Sequence, residues 1–160
     1  MKPGLGTQLR HLIELLDGAV EQAYVDAGLD YRPRYTPVMR MLAEQPSATI
    51  GELAAVAGLT QPAATQTVAL MVKKGLLTVA AGGEDGRQRV VRLSAEGAAL
   101  LPRLRVCWQA TKSAADSLDA ELAFPLSACL GQAIAALEAR SFGTRIRDAN
   151  LHLHPDDKPE

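Results

Sequence analysis

Between Thr7 and Ala27 the apolar residues Leu9, Leu12, Ile13, Leu16, Val20, Ala23 and Ala27 recur mostly at steps of three and four. That spacing gathers them on one side of an α-helix, and Gly28 supplies a residue suited to end it. The stretch DYRPRYTP then breaks the pattern with Pro33 and Pro37. A second helix starts nearby and carries Val38, Met39, Met41 and Leu42 to its end before Pro46, since the residue ahead of a proline is pushed out of helical geometry. Thr49 and Glu52 stand three apart at the head of a short helix, ELAAVA, which stops at Gly58. This is capping-box spacing. Thr60 caps the next helix, and Pro62 is tolerated in its first turn because the amide it lacks would be unpaired there anyway. That helix runs through PAATQTVALMVKK to Gly75, with Val68 and Leu70 to Val72 expected in the core.

Beyond Gly75 the period changes. LLTVAA and RQRVVRLS are strand-length runs separated by GGEDG, the pattern of a β-hairpin with a glycine-rich loop. After Ser94 helical spacing returns, with Leu101, Leu104, Trp108, Thr111, Ala115 and Leu118 on one face. Pro125 separates this helix from a last one containing Leu126, Leu130, Ala133, Ile134 and Leu137. From Asn150 onwards no periodicity is visible, and a mobile tail is expected.

Composition narrows the picture. A chain of 160 residues suits one domain with helical extensions. With 48% hydrophobic but only 4% aromatic residues, alanine and aliphatic side chains must fill the core, and they favour helix. The formal net charge of -1 excludes a globally cationic protein, so any surface for a polyanion must be local. The tail HPDDKPE is one place where compensating acid collects. No apolar run approaches bilayer length, and the N-terminus lacks the apolar core of a signal peptide, which leads to a cytoplasmic expectation with no membrane partner. Cys107 and Cys129 lack metal-type spacing, which suits a reducing compartment.

Two short helices joined by GLT have the form of a helix-turn-helix, whose second helix is the usual reader of the major groove. A hairpin follows at once, with arginines near its tip: helix, helix, hairpin is the order of a winged helix. In GGEDGRQRVVRLS the glycines let a loop approach another surface closely. Arginine suits the narrow, electronegative minor groove and also forks onto phosphate. Asp85 is placed to orient Arg87, while Arg89 and Arg92 are phosphate contacts or surface residues. The competing reading is a solvated hairpin with a local acid–base pair.

The segment IGELAAVAGLTQPAATQTVALMVKKGLLTVAAGGEDGRQRVVRLSAEGAALLP resembles the DNA-binding core of the MarR family of bacterial transcriptional regulators. The family's wing pattern is an Asp, an Arg two residues on, then a strand ending in Leu-Ser/Thr before a helix. Asp85, Arg87, Leu93 and Ser94 fit it. The match covers about a third of the chain. It implies a mainly α fold: a winged helix-turn-helix lobe over 34–97 with a small β-hairpin wing, dimerisation helices over 1–28 and 98–148, and a tail over 149–160. It further implies a homodimer on a pseudo-palindromic double-stranded DNA operator, acting as a repressor relieved by a small aromatic or anionic effector. One departure stands out. The family's reading helix usually carries an arginine just after a serine or threonine, whereas here Thr65 is followed by Gln66. Base contact then falls to Gln61, Pro62, Thr65, Gln66 and Thr67, since glutamine pairs with adenine and threonine meets the thymine methyl. Lys73, Lys74, Arg87 and Arg89 remain as the cations, so affinity is expected to lean on the wing.

Tyr24, Tyr31, Arg32, Arg34 and Tyr35 gather around the first interhelical turn, with Trp108 on the long helix. In relatives a small-molecule pocket lies between dimer helices and DNA-binding lobe, and aromatic walls with an arginine would suit an anionic aromatic ligand. Ordinary packing beside a solvated basic turn is the other reading. Cys107 is a thiol sensor or a buried, inert thiol; the family's peroxide sensors use a cysteine in the first helix, where this chain has none. His152 and His154, with Asp156 and Asp157, are read as part of the tail rather than a metal site, and His11 as structural. No cofactor motif and no catalytic set emerges, so no enzyme is expected. Two other classes stay open: a winged-helix module whose wing contacts protein, and a cysteine-based redox-sensing regulator.

Overall fold

The computed structural model describes residues 3–82 and 88–153. The chain divides into two compact units, Met1–Thr111 and Lys112–Glu160.

The first unit opens with α1 (Leu5–Asp26), and a 3-10 turn at Pro33–Tyr35 leads into α2 (Thr36–Glu44). A two-residue strand β1 (Ala48–Thr49) precedes α3 (Ile50–Ala57), and α4 (Gln61–Lys73) follows. Strands β2 (Leu77–Gly82) and β3 (Gln88–Leu93) come next, then α5 (Ala95–Glu121), which continues into the second unit. The start of α3 has the capping box that its sequence predicts. Thr49 Oγ1 accepts from the Glu52 amide at 3.2 Å, while the Glu52 carboxylate accepts from the Thr49 amide at 2.7 Å and hydroxyl at 2.9 Å. Thr60 Oγ1 accepts from the Ala63 amide at 3.4 Å to cap α4, with Pro62 in the first turn. Gly75, at φ 75°, makes the left-handed turn out of α4 into β2.

β1 was not expected. Two residues are too few to show an alternating period, yet Ala48 and Thr49 pair with Val91 and Val90 of β3. The sheet is therefore three-stranded, in the order β1-β3-β2, and antiparallel throughout. The β2–β3 register runs from Leu77 opposite Leu93 to Gly82 opposite Gln88. The loop between them, with Asp85 and Arg87, lies outside the described residues.

The core of this unit joins Tyr24 of α1, Leu29, Tyr31, Tyr35, Val38, Met39, Leu42, Leu53, Val68, Met71, Leu77, Val91, Leu104 and Trp108. It takes in α1 and α5 residues outside the 34–97 span expected of the lobe. Ser94 fastens the start of α5: its amide donates to the Leu76 carbonyl at 3.0 Å, and its hydroxyl accepts from the Gly97 amide at 2.9 Å and donates to the Gly75 carbonyl. The approach is so close that a Cβ at Gly97 would collide with the Leu76 carbonyl.

The second unit holds the rest of α5, then α6 (Leu126–Ala139) and α7 (Phe142–Leu153). Asp119 caps α6, accepting from the Ser127 amide at 3.2 Å and from the Ser127 hydroxyl, and these bonds hold its carboxyl below the usual carboxylate range. α7 corrects the sequence reading. The last helix breaks at Arg140, Ser141 Oγ accepts from the Thr144 amide at 3.2 Å, and a further helix runs through Leu153, past the tail boundary at 149. Neither α6 nor α7 has a buried residue.

Candidate nucleic-acid interface

α4 has two sides. Ala64, Thr67, Val68 and Met71 are buried at helical spacing, whereas Gln61, Pro62, Thr65, Gln66, Ala69, Val72 and Lys73 are exposed. Thr67, expected among the base contacts, is thus corrected: it is 7% exposed, and the step of three and four from Ala64 to Met71 carries it into the lobe. Val72 is corrected in the opposite direction, being 38% exposed rather than core. The Thr65 hydroxyl donates to the Gln61 carbonyl one turn back, at 2.9 Å.

The lysines at the end of α4 also part company. Lys73 is exposed, but Lys74 Nζ lies 2.5 Å from Asp30 Oδ2 and donates to the Asp30 carbonyl at 3.4 Å. The hydrogen bond and charge of Lys74 hold the Asp30 carboxyl below its ordinary value. Lys74 therefore ties the end of α4 to the turn after α1, and its charge is largely matched.

Between α4 and the sheet runs a groove of about 720 Å³. Thr49, Ile50 and Gly51 form one end, Gln61, Thr65, Val68, Ala69 and Val72 the α4 side, and Val79 and Arg89 the strand side. Strand alternation explains which arginine takes part. Arg89 and Val91 point to one face of β3, paired with Ala81 and Val79, while Arg92 falls on the other face, paired with Thr78. Arg89 is exposed at the groove, where the sequence reading placed a phosphate contact.

The aromatic residues of the interhelical turn come together as buried packing. Tyr24 and Tyr31 meet edge-on with ring centroids 4.7 Å apart, and Tyr31 and Tyr35 at 5.7 Å. The Tyr31 hydroxyl donates to Thr36 Oγ1 at 3.4 Å, and the Tyr24 hydroxyl lies 3.3 Å from the same atom. Burial pushes the Tyr31 phenol up from its ordinary value. Arg32 is exposed and pairs with Glu21 at 3.1 Å, and both border a cavity of about 280 Å³ together with Tyr31. The Arg34 guanidinium lies 5.7 Å from the Tyr35 ring centroid, and a further exposed cation, Arg40, has its guanidinium 5.0 Å from the Trp108 ring centroid. The sequence reading missed it, although a lone charge inside VMRML was the available signal. Trp108 Nε1 is buried without a hydrogen-bond partner among the described residues.

The MarR family's sequence pattern matches residues 28–88, from the end of the first helix through α2, α3, α4 and β2 to the start of β3. This lobe is a winged helix similar to those of the MarR family. Among curated proteins nothing matches the chain. Solved structures share the MarR fold. The M. tuberculosis transcriptional regulator MosR, in complex with DNA, is 24% identical, covering 84% of this chain and 98% of that one at a TM-score of 0.66. The transcriptional repressor CouR, bound to a 23-mer DNA duplex, is 18% identical, covering 84% and 92% at 0.64. PcaV of Streptomyces coelicolor, in complex with its natural ligand, is 22% identical, covering 88% and 99% at 0.61. At these identities the likeness is one of fold.

Within this lobe, Gln61, Pro62, Thr65, Gln66, Lys73 and Arg89 are exposed, and Gln61, Thr65 and Arg89 line one groove. Cys107 is half-buried against the core, and Cys129 is exposed on α6. His11 is exposed, 3.9 Å from Glu14. Among the described residues no group of three His, Cys, Asp or Glu side chains is placed to hold a metal; His154, Asp156 and Asp157 lie outside them. No single described helix is long and apolar enough to cross a membrane.

Proposed function

We propose that the protein is a bacterial, cytoplasmic transcription regulator that binds a pseudo-palindromic operator as a homodimer, and that it is a repressor relieved by a small ligand. One observation carries the reading: the exposed polar face of α4 shares a groove with Arg89 of the wing strand. A helix face of Gln61, Thr65 and Gln66 suits base edges in a major groove, and Lys73 and Arg89 suit the flanking phosphates. Arg87 reaches the minor groove, oriented by Asp85, as the wing pattern implies. MosR and CouR, of like fold, are DNA-bound.

Exposed apolar residues support the dimer. α1 presents Leu9, Ile13 and Leu16, α6 presents Ile134 and Leu137, and α7 presents Phe142 and Ile146. Apolar surface on that scale marks a contact with another chain. For the effector, Arg40 and Trp108 Nε1, which has no hydrogen-bond partner among the described residues, offer a cation and a donor in the core cluster that holds the tyrosines. A buried donor without an acceptor costs free energy, which a carboxylate would offset. Such a ligand changes DNA binding only by favouring one arrangement of the dimer over another.

A winged-helix module that contacts protein is the second reading, favoured by an α4 without ionisable side chains between Gln61 and Val72. Fluorescence-anisotropy titration against genomic DNA fragments at several salt concentrations separates the two. Binding that weakens steeply with salt and drops at least about tenfold in Arg87→Ala, an effect near 1.4 kcal/mol, supports the regulator. No binding to any fragment at low salt, with the dimer intact, removes it.

A further inference from the structure

The groove beside α4 has an unusual lining for a surface that meets a polyanion. Its ten described lining residues include one cation, Arg89, and no carboxylate. The α4 side of it is carbon-rich: Val68, Ala69 and Val72 follow Thr65 along the helix. Across from them stands Val79, itself 36% exposed. The Thr65 hydroxyl proton is already spent on the Gln61 carbonyl, which leaves its methyl group and an oxygen that can only accept.

Among the groups at base edges in the major groove, one gains from contact with carbon: the C5-methyl of thymine. Donors and acceptors on the other bases would lose water against such a face without replacement bonds. Arg89 supplies the complement to the phosphate strand, a contact that sets position and not sequence. From this juxtaposition we infer that Thr65, Ala69 and Val72 form an apolar reader of thymine methyl groups, and that this contact replaces the arginine–guanine readout a cationic helix would make. Gln61, on the same helix face, pairs with adenine, so the preferred half-site is built on A·T steps read through methyls. The inference rests on the DNA-binding function proposed above.

The test begins with selection of duplexes from a random library by the full chain at low salt. Each thymine of the selected half-site is then replaced in turn by deoxyuridine, which removes the methyl and keeps every hydrogen-bonding atom. At one or more positions in each half-site the Kd should rise about fourfold, the factor corresponding to about 0.8 kcal/mol for one buried methyl-sized group. Ala69→Ser and Val72→Thr, both near-isosteric, should bring the deoxyuridine and thymidine duplexes to equal affinity. Deoxyuridine duplexes bound within about 1.5-fold of their parents at every position overturn the inference and leave the regulator reading standing. A deoxyuridine effect that persists undiminished in both folded variants belongs to DNA stiffness and also overturns it. If neither variant folds, Thr65→Ser, which deletes the methyl and keeps the hydroxyl, takes their place in the same comparison with the same two outcomes. Failure to select any duplex removes the regulator reading, and this inference with it.

Discussion

Lys73 and Lys74 are neighbours in sequence with different electrostatic surroundings. Lys73 stands exposed at the end of α4, whereas Lys74 is held by Asp30 at 2.5 Å. Counterion release counts cations that reach phosphate, so the two substitutions should behave differently. In the anisotropy titration, Lys73→Met should lower the slope of log K against log salt by about 0.9 per protomer, and Lys74→Met should leave it nearly unchanged. Equal effects would mean that the Asp30 pair opens on DNA. Gly97 is the other residue whose surroundings dictate an outcome. A Cβ there meets the backbone carbonyl of Leu76, which cannot swing away as a side chain would. Gly97→Ala should cost about 1–3 kcal/mol by overpacking, despite alanine's better helix propensity. Thermal melting followed by circular dichroism checks this, and an unchanged or raised Tm would contradict it.

At the scale of elements, the β1–α3 junction concentrates several constraints in two residues. Ala48 and Thr49 pair with Val91 and Val90, and Thr49 also closes the capping box of α3. Thr49→Ala should destabilise the lobe by about 1 kcal/mol through the cap, seen as a lowered midpoint in urea. The box also has a pH signature. Bonds from the Thr49 amide and hydroxyl hold the Glu52 carboxyl below its ordinary value of 4.5. A carboxyl depressed in the folded state contributes stability above its unfolded pKa and loses it as the pH falls through the folded one. The stability gap between the parent and Thr49→Ala should therefore be full at neutral pH and narrow below about pH 4.5. The variant keeps the amide bond to Glu52, so a gap that stays constant down to pH 3 would show that the Thr49 hydroxyl adds nothing to the hold on that carboxyl.

For the whole molecule, the exposed apolar residues of α1, α6 and α7 are the dominant fact. Leu5, Leu15, Ile134, Phe142 and Leu153 are all exposed, and no residue of α6 or α7 is buried. Helices of this amphipathic kind are stable in water when a partner covers them. Sedimentation equilibrium should give twice the chain mass of 17.0 kDa. Ile134→Glu with Leu137→Glu should shift the mass towards the single chain and, by separating two reading helices, weaken operator binding. A monomer at micromolar concentration for the unaltered chain would count against the operator symmetry proposed here.

The order of the helices up to α6, the two caps at Thr49 and Thr60, the stop at Gly58 and the existence of the hairpin were legible in the sequence, because each follows from neighbours a few residues apart. So was the placement of Gln61, Pro62, Thr65 and Gln66 on an exposed face. What the sequence left undecided came partly from partners distant along the chain and partly from local chemistry that leaves no hydrophobic period. β1 exists only because β3 lies beside it, and α7 begins where Ser141 turns its hydroxyl onto the Thr144 amide. Thr67 was misplaced because polarity alone predicted exposure, while the helical step from Ala64 to Met71 carries it inward. Nearness in sequence groups Arg32 and Arg34 with the aromatic cluster, and Arg34 lies over Tyr35 while Arg32 pairs with Glu21 beside Tyr31; the approach of Arg40 to Trp108 needs the fold. Local chemistry determined the elements and their ends. Only the tertiary fold decided which charges face the groove, which are paired, and where carbon is left exposed beside the reading helix, because burial and ion pairing are properties of residues brought together across the chain.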